Sequence, residues 1–271
     1  MRLGFALLTH DRPDQVIGLA RLLRQLFPDA AIACHHDMGQ SPLDPAALPD
    51  VAVVPRPHAT VWGHSSVIDG ALDAFALLRD MRPTPEWYYL LSAADLPIKS
   101  ARRIRRDLEA AQCDVFIDHM PIPPGPPANR YFELRQFRYF ADTQPPFPEG
   151  YICHAGEHWF TVNRRAIDWL LDHARNAPGL YAHYKALEAT RHIVPEESFY
   201  QTLFCNAPQL VIRNENLRHI DWSRGAAHPR TLSLRDLPRI LRSRAHFARK
   251  IDPERSKALI ATATLLLRAG S

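Results

Sequence analysis

Leu3-Gly4-Phe5-Ala6-Leu7-Leu8-Thr9-His10-Asp11, followed by Arg12-Pro13, opens the chain. Residues 3–8 form a continuous apolar run of strand length, and the polar Thr9-His10-Asp11 stops it. Pro13 then opens a helix in which Val16, Ala20, Leu23 and Phe27 recur at helical spacing, and a second short apolar run follows at residues 30–33. Strand, helix and strand at this pitch predict a parallel crossover unit. Open α/β sheets hold ligands beyond the carboxyl ends of their strands, where His10 and Asp37 fall.

Working outward, residues 51–54 predict a third strand, and Trp62-Gly63 precedes a helix with Val67, Ala71, Phe75 and Leu78 on one stripe. Trp87-Tyr88-Tyr89-Leu90-Leu91 predicts a fourth strand that delivers Asp95 to the ligand-facing edge, with Pro97 ending it and Ser100 capping the next helix. Strands are expected at residues 115–117, 159–162, 210–212 and 219–222, and helices at 165–174 and after Pro195. A basic helix over 234–242 and a last helix begun by Asp252-Pro253, with Leu259, Ala263, Leu266 and Leu267 on one face, close the chain. The Pro-rich run at residues 121–127 reads as a long loop inside one domain spanning 1–271, because aromatic-rich sequence resumes at Tyr131 and Phe132.

With 271 residues, 46% of them hydrophobic, the chain can bury a substantial core. Its net charge of +4 is unevenly placed: from Arg213 onward thirteen Lys or Arg stand against five Asp or Glu, which implies an anionic partner. Basic residues without interleaved exposed aromatics do not suit nucleic acid. The basic and apolar C-terminal helices at 234–268 also suit peripheral contact with an anionic membrane surface. Cys34, Cys113, Cys153 and Cys205 are too widely spaced for a zinc knuckle and read as reduced thiols. The N-terminal apolar run is too short for a signal peptide, and a cytoplasmic location is expected, including the inner face of a membrane.

Two segments carry chemistry. Pro195-Glu196-Glu197-Ser198-Phe199 offers carboxylates at the start of a helical stretch, and Phe247-Ala248-Arg249-Lys250 offers a pair of cations. A carboxylate can take a proton from an attacking hydroxyl while Arg and Lys stabilise a departing diphosphate, which is the logic of glycosyl transfer from a nucleotide sugar. His35-His36-Asp37 and His154-x-x-x-His158 supply metal-ligand types, but adjacent strand residues face opposite ways, and no metal hydrolase is expected.

In order along the chain, six groups of residues resemble the core-2/I-branching glycosyltransferase family (glycosyltransferase family 14), and its peptide O-xylosyltransferase branch in particular. They are Leu7-Leu8-Thr9-His10; Val61-Trp62-Gly63 with Ser65-Ser66; Leu91-Ser92-Ala93-Ala94-Asp95-Leu96-Pro97-Ile98; Gly156-Glu157-His158-Trp159-Phe160 through Asn163-Arg164-Arg165; Pro195-Glu196-Glu197-Ser198-Phe199; and Asn216-Leu217-Arg218 through Asp221-Trp222 to Phe247-Ala248-Arg249-Lys250. The resemblance implies a GT-A-like variant of the nucleotide-sugar-binding fold, an α/β architecture with a mixed, mostly parallel central sheet flanked by helices. It further implies an inverting enzyme that needs no divalent metal or other cofactor, Ser92-Ala93-Ala94-Asp95 standing where an Asp-x-Asp metal motif would fall.

By the same resemblance, Glu197 is the general base and Glu196 a solvated neighbour. Arg249 and Lys250 hold the diphosphate, with Arg218 a third cation. Asp37 contacts uracil or ribose, although Met38 and Gly39 follow it where relatives carry a basic residue. Trp62 and Gly63 line the donor sugar, Gly63 being equally readable as a turn glycine. Asp95 bonds sugar hydroxyls or caps a helix. His158 stands where relatives of the xylosyltransferase branch carry Asp, and Trp159 stacks on a sugar or fills the core. The implied donor is UDP-N-acetylglucosamine or UDP-xylose, and the acceptor a glycan, lipid-linked oligosaccharide or peptide. A nucleotide-sugar or glycan binder without turnover is the alternative.

Overall fold

The computed structural model describes residues 1–122, 147–174, 176, 179–190, 193–223 and 228–269. The Pro-rich run from residue 123 onward, with the aromatics after it, lies outside them. The opening crossover forms as expected: β1 (Leu3–Thr9), α1 (Pro13–Leu26) and β2 (Ala31–His36), with the strands parallel from Gly4 opposite Ala31 to Thr9 opposite His36. β3 (Ala52–Val53), α2 (Ser66–Asp80) and β4 (Trp87–Leu91) follow, β3 beside β2 and β4 on the other flank of β1. Next come β5 (Leu96–Pro97), α3 (Ala101–Glu109), β6 (Val115–Ile117), β7 (Met120–Pro121), β8 (His154–Ala155) and β9 (Phe160–Asn163). Then α4 (Arg164–His173), α5 (Leu180–Glu188), a 3-10 turn (Pro195–Glu197) and α6 (Phe199–Cys205) lead to β10 (Ile212–Asn214) and β11 (Arg218–Ile220). A second 3-10 turn (Leu234–Asp236), α7 (Leu237–Arg242), β12 (Phe247–Arg249) and α8 (Lys257–Ala269) complete the order.

Among the described residues the strands form a seven-stranded sheet in the order β10-β6-β9-β4-β1-β2-β3, a three-stranded sheet β11-β12-β5 and a ribbon β7-β8. In the large sheet only β9 runs antiparallel to its neighbours β4 and β6. Helices cover both faces. Alternation along β1 sends Leu3, Phe5 and Leu7 toward α1 and α3, and Ala6 toward α2. The Phe5 ring packs between Phe27, Tyr89 and Phe247, which ties the small sheet to the large one.

The local signals mostly act as read. Ser100 caps α3 through Arg103 N–H as expected, while Asn163, to which the sequence reading gave no capping role, caps α4 through Ala166 N–H at 3.0 Å. In α8, Leu259, Ala263 and Leu267 are buried, while Leu266, at the edge of the same stripe, is exposed. α8 also starts at Lys257 rather than at Pro253, since the Asp252 carboxylate accepts from Glu254 and Arg255 N–H and holds a separate turn there. No helix among the described residues is long and apolar enough to cross a membrane.

The ribbon approaches the main sheet at one glycine. A Cβ on Gly156 would fall 1.9 Å from the Asp118 carbonyl oxygen, so the close passage of these two backbones requires glycine. Gly156 N–H donates to the Glu197 carbonyl at 2.8 Å and so fixes the 3-10 turn against the ribbon. Gly156→Ala should therefore cost more than about 2 kcal/mol of stability in urea unfolding, since backbone must move to admit the methyl; an unchanged midpoint would refute the close approach.

Candidate active site

The carboxyl ends of β1, β2 and β4 bring Thr9, Asp37 and Ser92 to one edge, the ligand edge of such sheets. Asp37 lies there as expected, but its carboxylate is engaged with its own chain. Oδ2 accepts from Thr60 N–H (2.6 Å), Thr60 hydroxyl (3.0 Å) and Gln40 (2.9 Å), and Oδ1 from Gly39 N–H (2.9 Å). Burial alone pushes this carboxyl up, but the donors on Thr60, Gln40 and Gly39 outweigh it and hold it at about 2. Asp37 thus braces the loop that leads to Trp62. That loop turns at Gly63 with φ +80°, closed by His64 N–H on the Val61 carbonyl, so the turn reading of Gly63 is met directly. Trp62 stands at its tip, 61% exposed.

Behind the edge lies a run of buried charge. Asp95 accepts at Oδ2 from Ser92 N–H (2.7 Å) and its hydroxyl (2.9 Å), and its Oδ1 faces Arg218 at 3.9 Å. Arg218, expected at the diphosphate, is instead enclosed: its side chain is inaccessible to solvent, donates to the Leu90 and Asn216 carbonyls, and lies over the rings of Tyr89 and Phe247. Burial brings it down to about 10. This geometry encloses Arg218 beneath Asp95, with no face of its side chain open to solvent.

Arg249 is arranged differently. Only 8% exposed, it places its guanidinium carbon 3.9 Å from the centre of the Trp159 ring, and its Nε and Nη1 are buried with no hydrogen-bond partner among the described residues. Burial lowers its pKa, while Asp95 and Glu157 oppose that shift. Lys250, half-buried beside it, is also lowered, first by burial and then by Arg249. Trp159 therefore covers a cation and shapes the site wall.

Glu197 ends its 3-10 turn half-exposed, whereas Glu196 is 4% exposed. Glu196 is thus not the solvated neighbour expected from the sequence, because the three-residue period of the turn rotates consecutive side chains by about 120° and carries Glu196 inward. Opposite Glu197 stands a residue with no role assigned from the sequence. Glu157 accepts from the Trp222 indole N–H at 2.5 Å and lies within electrostatic reach of Glu197 and Arg249, and Gln201 of α6 donates to its carbonyl at 2.7 Å. Burial first, then Glu197, pushes its carboxyl up to about 7, against the pull of Trp222 and Arg249. Its adjacency to Trp159, two positions along an extended strand entry, was the available signal. His158 between them turns away. It stacks on Tyr200, its Nε2 is shut off from solvent, and burial pushes it down to about 3, so it is neutral.

The histidine groups read from the sequence do not pool. His35 Nε2 accepts from His58 N–H, while His36 bonds Thr9 and Ser41, and neither His35-His36-Asp37 nor His154 with His158 forms a three-ligand cluster among the described residues.

A carboxyl raised from 4.5 to about 7 by folding favours the native state while protonated, and that contribution is lost as pH rises from 4.5 through 7. Glu157→Gln keeps the uncharged shape. It should leave stability near wild type at pH 5 and raise it by on the order of 2–3 kcal/mol at pH 8, read by thermal unfolding at both pH values.

The geometry can be set beside known proteins. The Core-2/I-Branching enzyme family matches residues 35–243. Human (Homo sapiens) xylosyltransferase 1 is 25% identical over 238 residues, 83% of this chain and 24% of that protein. Beta-glucuronosyltransferase GlcAT14B of Arabidopsis thaliana is 23% identical over 219 residues, 74% of this chain and 49% of that protein. The chain thus spans about a quarter of the first relative's length and about half of the second's. Among solved structures, an active-site mutant of LgtC aligns with a TM-score of 0.51 at 11% identity over 100% of this chain and 96% of that one, and the shared fold is GT-A-like. With most of its length inside the family match, the chain belongs to the Core-2/I-Branching enzyme family.

Proposed function

We propose that this chain is an inverting glycosyltransferase that moves a sugar from a UDP-sugar to an acceptor hydroxyl without a divalent metal. The observation that carries the reading is Arg249: a desolvated guanidinium with two unpartnered N–H directions, beside Lys250 and facing two carboxylates. Such a group is stabilised by an anion that brings its own acceptors, and a diphosphate does so. The relatives' names repeat xylosyl transfer and add glucuronosyl transfer to the two transfers implied by the family resemblance.

In this mechanism Glu197 takes the proton of the acceptor hydroxyl, whose oxygen attacks the anomeric carbon from the face opposite the nucleotide. The bond from that carbon to the diphosphate breaks, its electron pair leaves with UDP, and Arg249 and Lys250 stabilise the charge that develops. Trp62, Gly63 and Trp159 line the donor side, with His158 behind Trp159 and the buried Asp95 acting through Arg249. Asp37 acts at the nucleotide end through the loop it braces, and Arg218 through Asp95. The adjacent Glu157 and Glu197 disfavour an anionic sugar, so a neutral one, xylose or N-acetylglucosamine, is the expected donor. The acceptor is a glycan, lipid-linked oligosaccharide or peptide hydroxyl.

A second reading makes Glu157 the base, favoured by its carboxyl near 7, where a general base works best at neutral pH. The two variants separate the readings. Glu197→Gln should keep UDP affinity and lose transfer by about 10²–10⁴-fold, with Glu157→Gln much milder; the reverse order would assign the base to Glu157.

Donor binding is tested first by calorimetry of UDP, UDP-xylose, UDP-N-acetylglucosamine and UDP-glucuronate in EDTA. Binding in the chelator, weakened by about 1.5–3 kcal/mol in Arg249→Met, is the expected outcome. Binding only with added manganese would refute the metal-free reading, and UDP-sugar binding without turnover across a broad acceptor panel would favour a binding protein.

A further inference from the structure

A second cluster of reactive side chains lies on the ribbon, away from the phosphate clamp. In the β7-β8 register Pro121 pairs with His154, so His119, two residues earlier than Pro121, is the diagonal neighbour of His154 on the same face. Their imidazoles meet edge to face at 5.8 Å. Thr202 of α6 accepts from His154 N–H at 3.0 Å, and Cys205, three residues further along that helix, reaches the same point. One ligand atom from each of His119, His154 and Cys205 lies within 4.8 Å of the other two.

The backbones that carry these groups are held from several sides. Asn214 clamps His119 at both its N–H (2.9 Å) and its carbonyl (2.8 Å). The His154 carbonyl accepts from the hydroxyls of Ser198 (2.7 Å) and Thr202 (3.2 Å). His154 Nδ1 lies 2.9 Å from the Ile152 carbonyl, which fixes the proton there and leaves Nε2 as a bare lone pair, the tautomer a metal takes. His119 Nδ1 is buried with no partner among the described residues, a cost that a ligand would remove.

We propose that His119, His154 and Cys205 form a binding site for a borderline-soft divalent ion, Zn²⁺, with water as the fourth ligand. Two imidazoles and a thiolate are the wrong donors for magnesium, calcium or manganese, which take oxygen, and the right ones for zinc. Zinc bonds of about 2.0–2.3 Å bring tetrahedral ligand atoms to roughly 3.3–3.8 Å, so binding closes the triangle by about 1 Å, within the reach of side-chain rotation. The thiol proton leaves to solvent as the Zn–S bond forms. The ion links the ribbon, which runs into Gly156-Glu157, to α6, which follows Glu197. It therefore braces the two segments that present the carboxylates and takes no part in holding diphosphate.

The test is metal analysis of the intact chain after loading with zinc and dialysis. One zinc per chain is expected, lost in His154→Ala and Cys205→Ser and kept in Cys113→Ser. Cobalt in place of zinc should give tetrahedral d–d bands and a near-ultraviolet thiolate-to-cobalt band. Since a ligand variant could misfold, alkylation of the wild type provides a second measure: zinc should slow labelling of Cys205 and leave Cys113 unchanged. Substoichiometric zinc, a missing thiolate-to-cobalt band or unprotected Cys205 would overturn the site. UDP affinity in Cys205→Ser, expected to equal wild type, keeps this outcome separate from that of the donor-site reading.

Discussion

The molecule must keep a guanidinium out of water without neutralising it. Moving such a cation from solvent to a protein interior costs several kcal/mol, and Arg249 meets that cost in part through the fields of Asp95 and Glu157 and in part through the face of Trp159. The cost is not met in full, because two of its nitrogens find no acceptor among the described residues. β12 holds this residue as the middle strand between β11 and β5, and Phe247 on the same strand locks it to the large sheet through Phe5 and Tyr89. The small sheet is in effect a mount for one cation.

The remaining charges follow from that one. Arg218 and Asp95 form a buried pair below the site that balances itself and leaves Asp95 able to act on Arg249. Glu157 and Glu197, set close by the hydrogen bond from Gly156 to the Glu197 carbonyl, repel each other, and burial together with that repulsion raises the Glu157 carboxyl. A carboxyl raised by its environment beside a desolvated cation is a feature that burial and neighbouring charge create, not the residue type.

Much of this was legible locally. The crossover at the N-terminus follows from an apolar run, a proline and a helical stripe, all within the first 33 residues, and the structure forms it as read. The cap residue Ser100 acts on a group only three positions away. Pairings over longer separations were not legible. Thr60 occupies the carboxylate of Asp37 across 23 residues, and Trp222 marks out Glu157 across 65. Nor did residue type separate Arg218 from Arg249, each on a three-residue strand of the same sheet, one closed in with backbone acceptors and the other left without them.

By itself, then, the amino-acid sequence determined the α/β class, the ligand-bearing edge and the residue types able to hold a diphosphate and accept a proton, because periodicity, capping and side-chain chemistry are properties of a residue and its near neighbours. Tertiary structure alone decided which of two arginines lacks backbone acceptors, that Glu157 is buried with a raised pKa, and which histidines meet a cysteine. Those outcomes depend on burial and on partners brought together from distant segments, since desolvation and charge act through space and not along the chain.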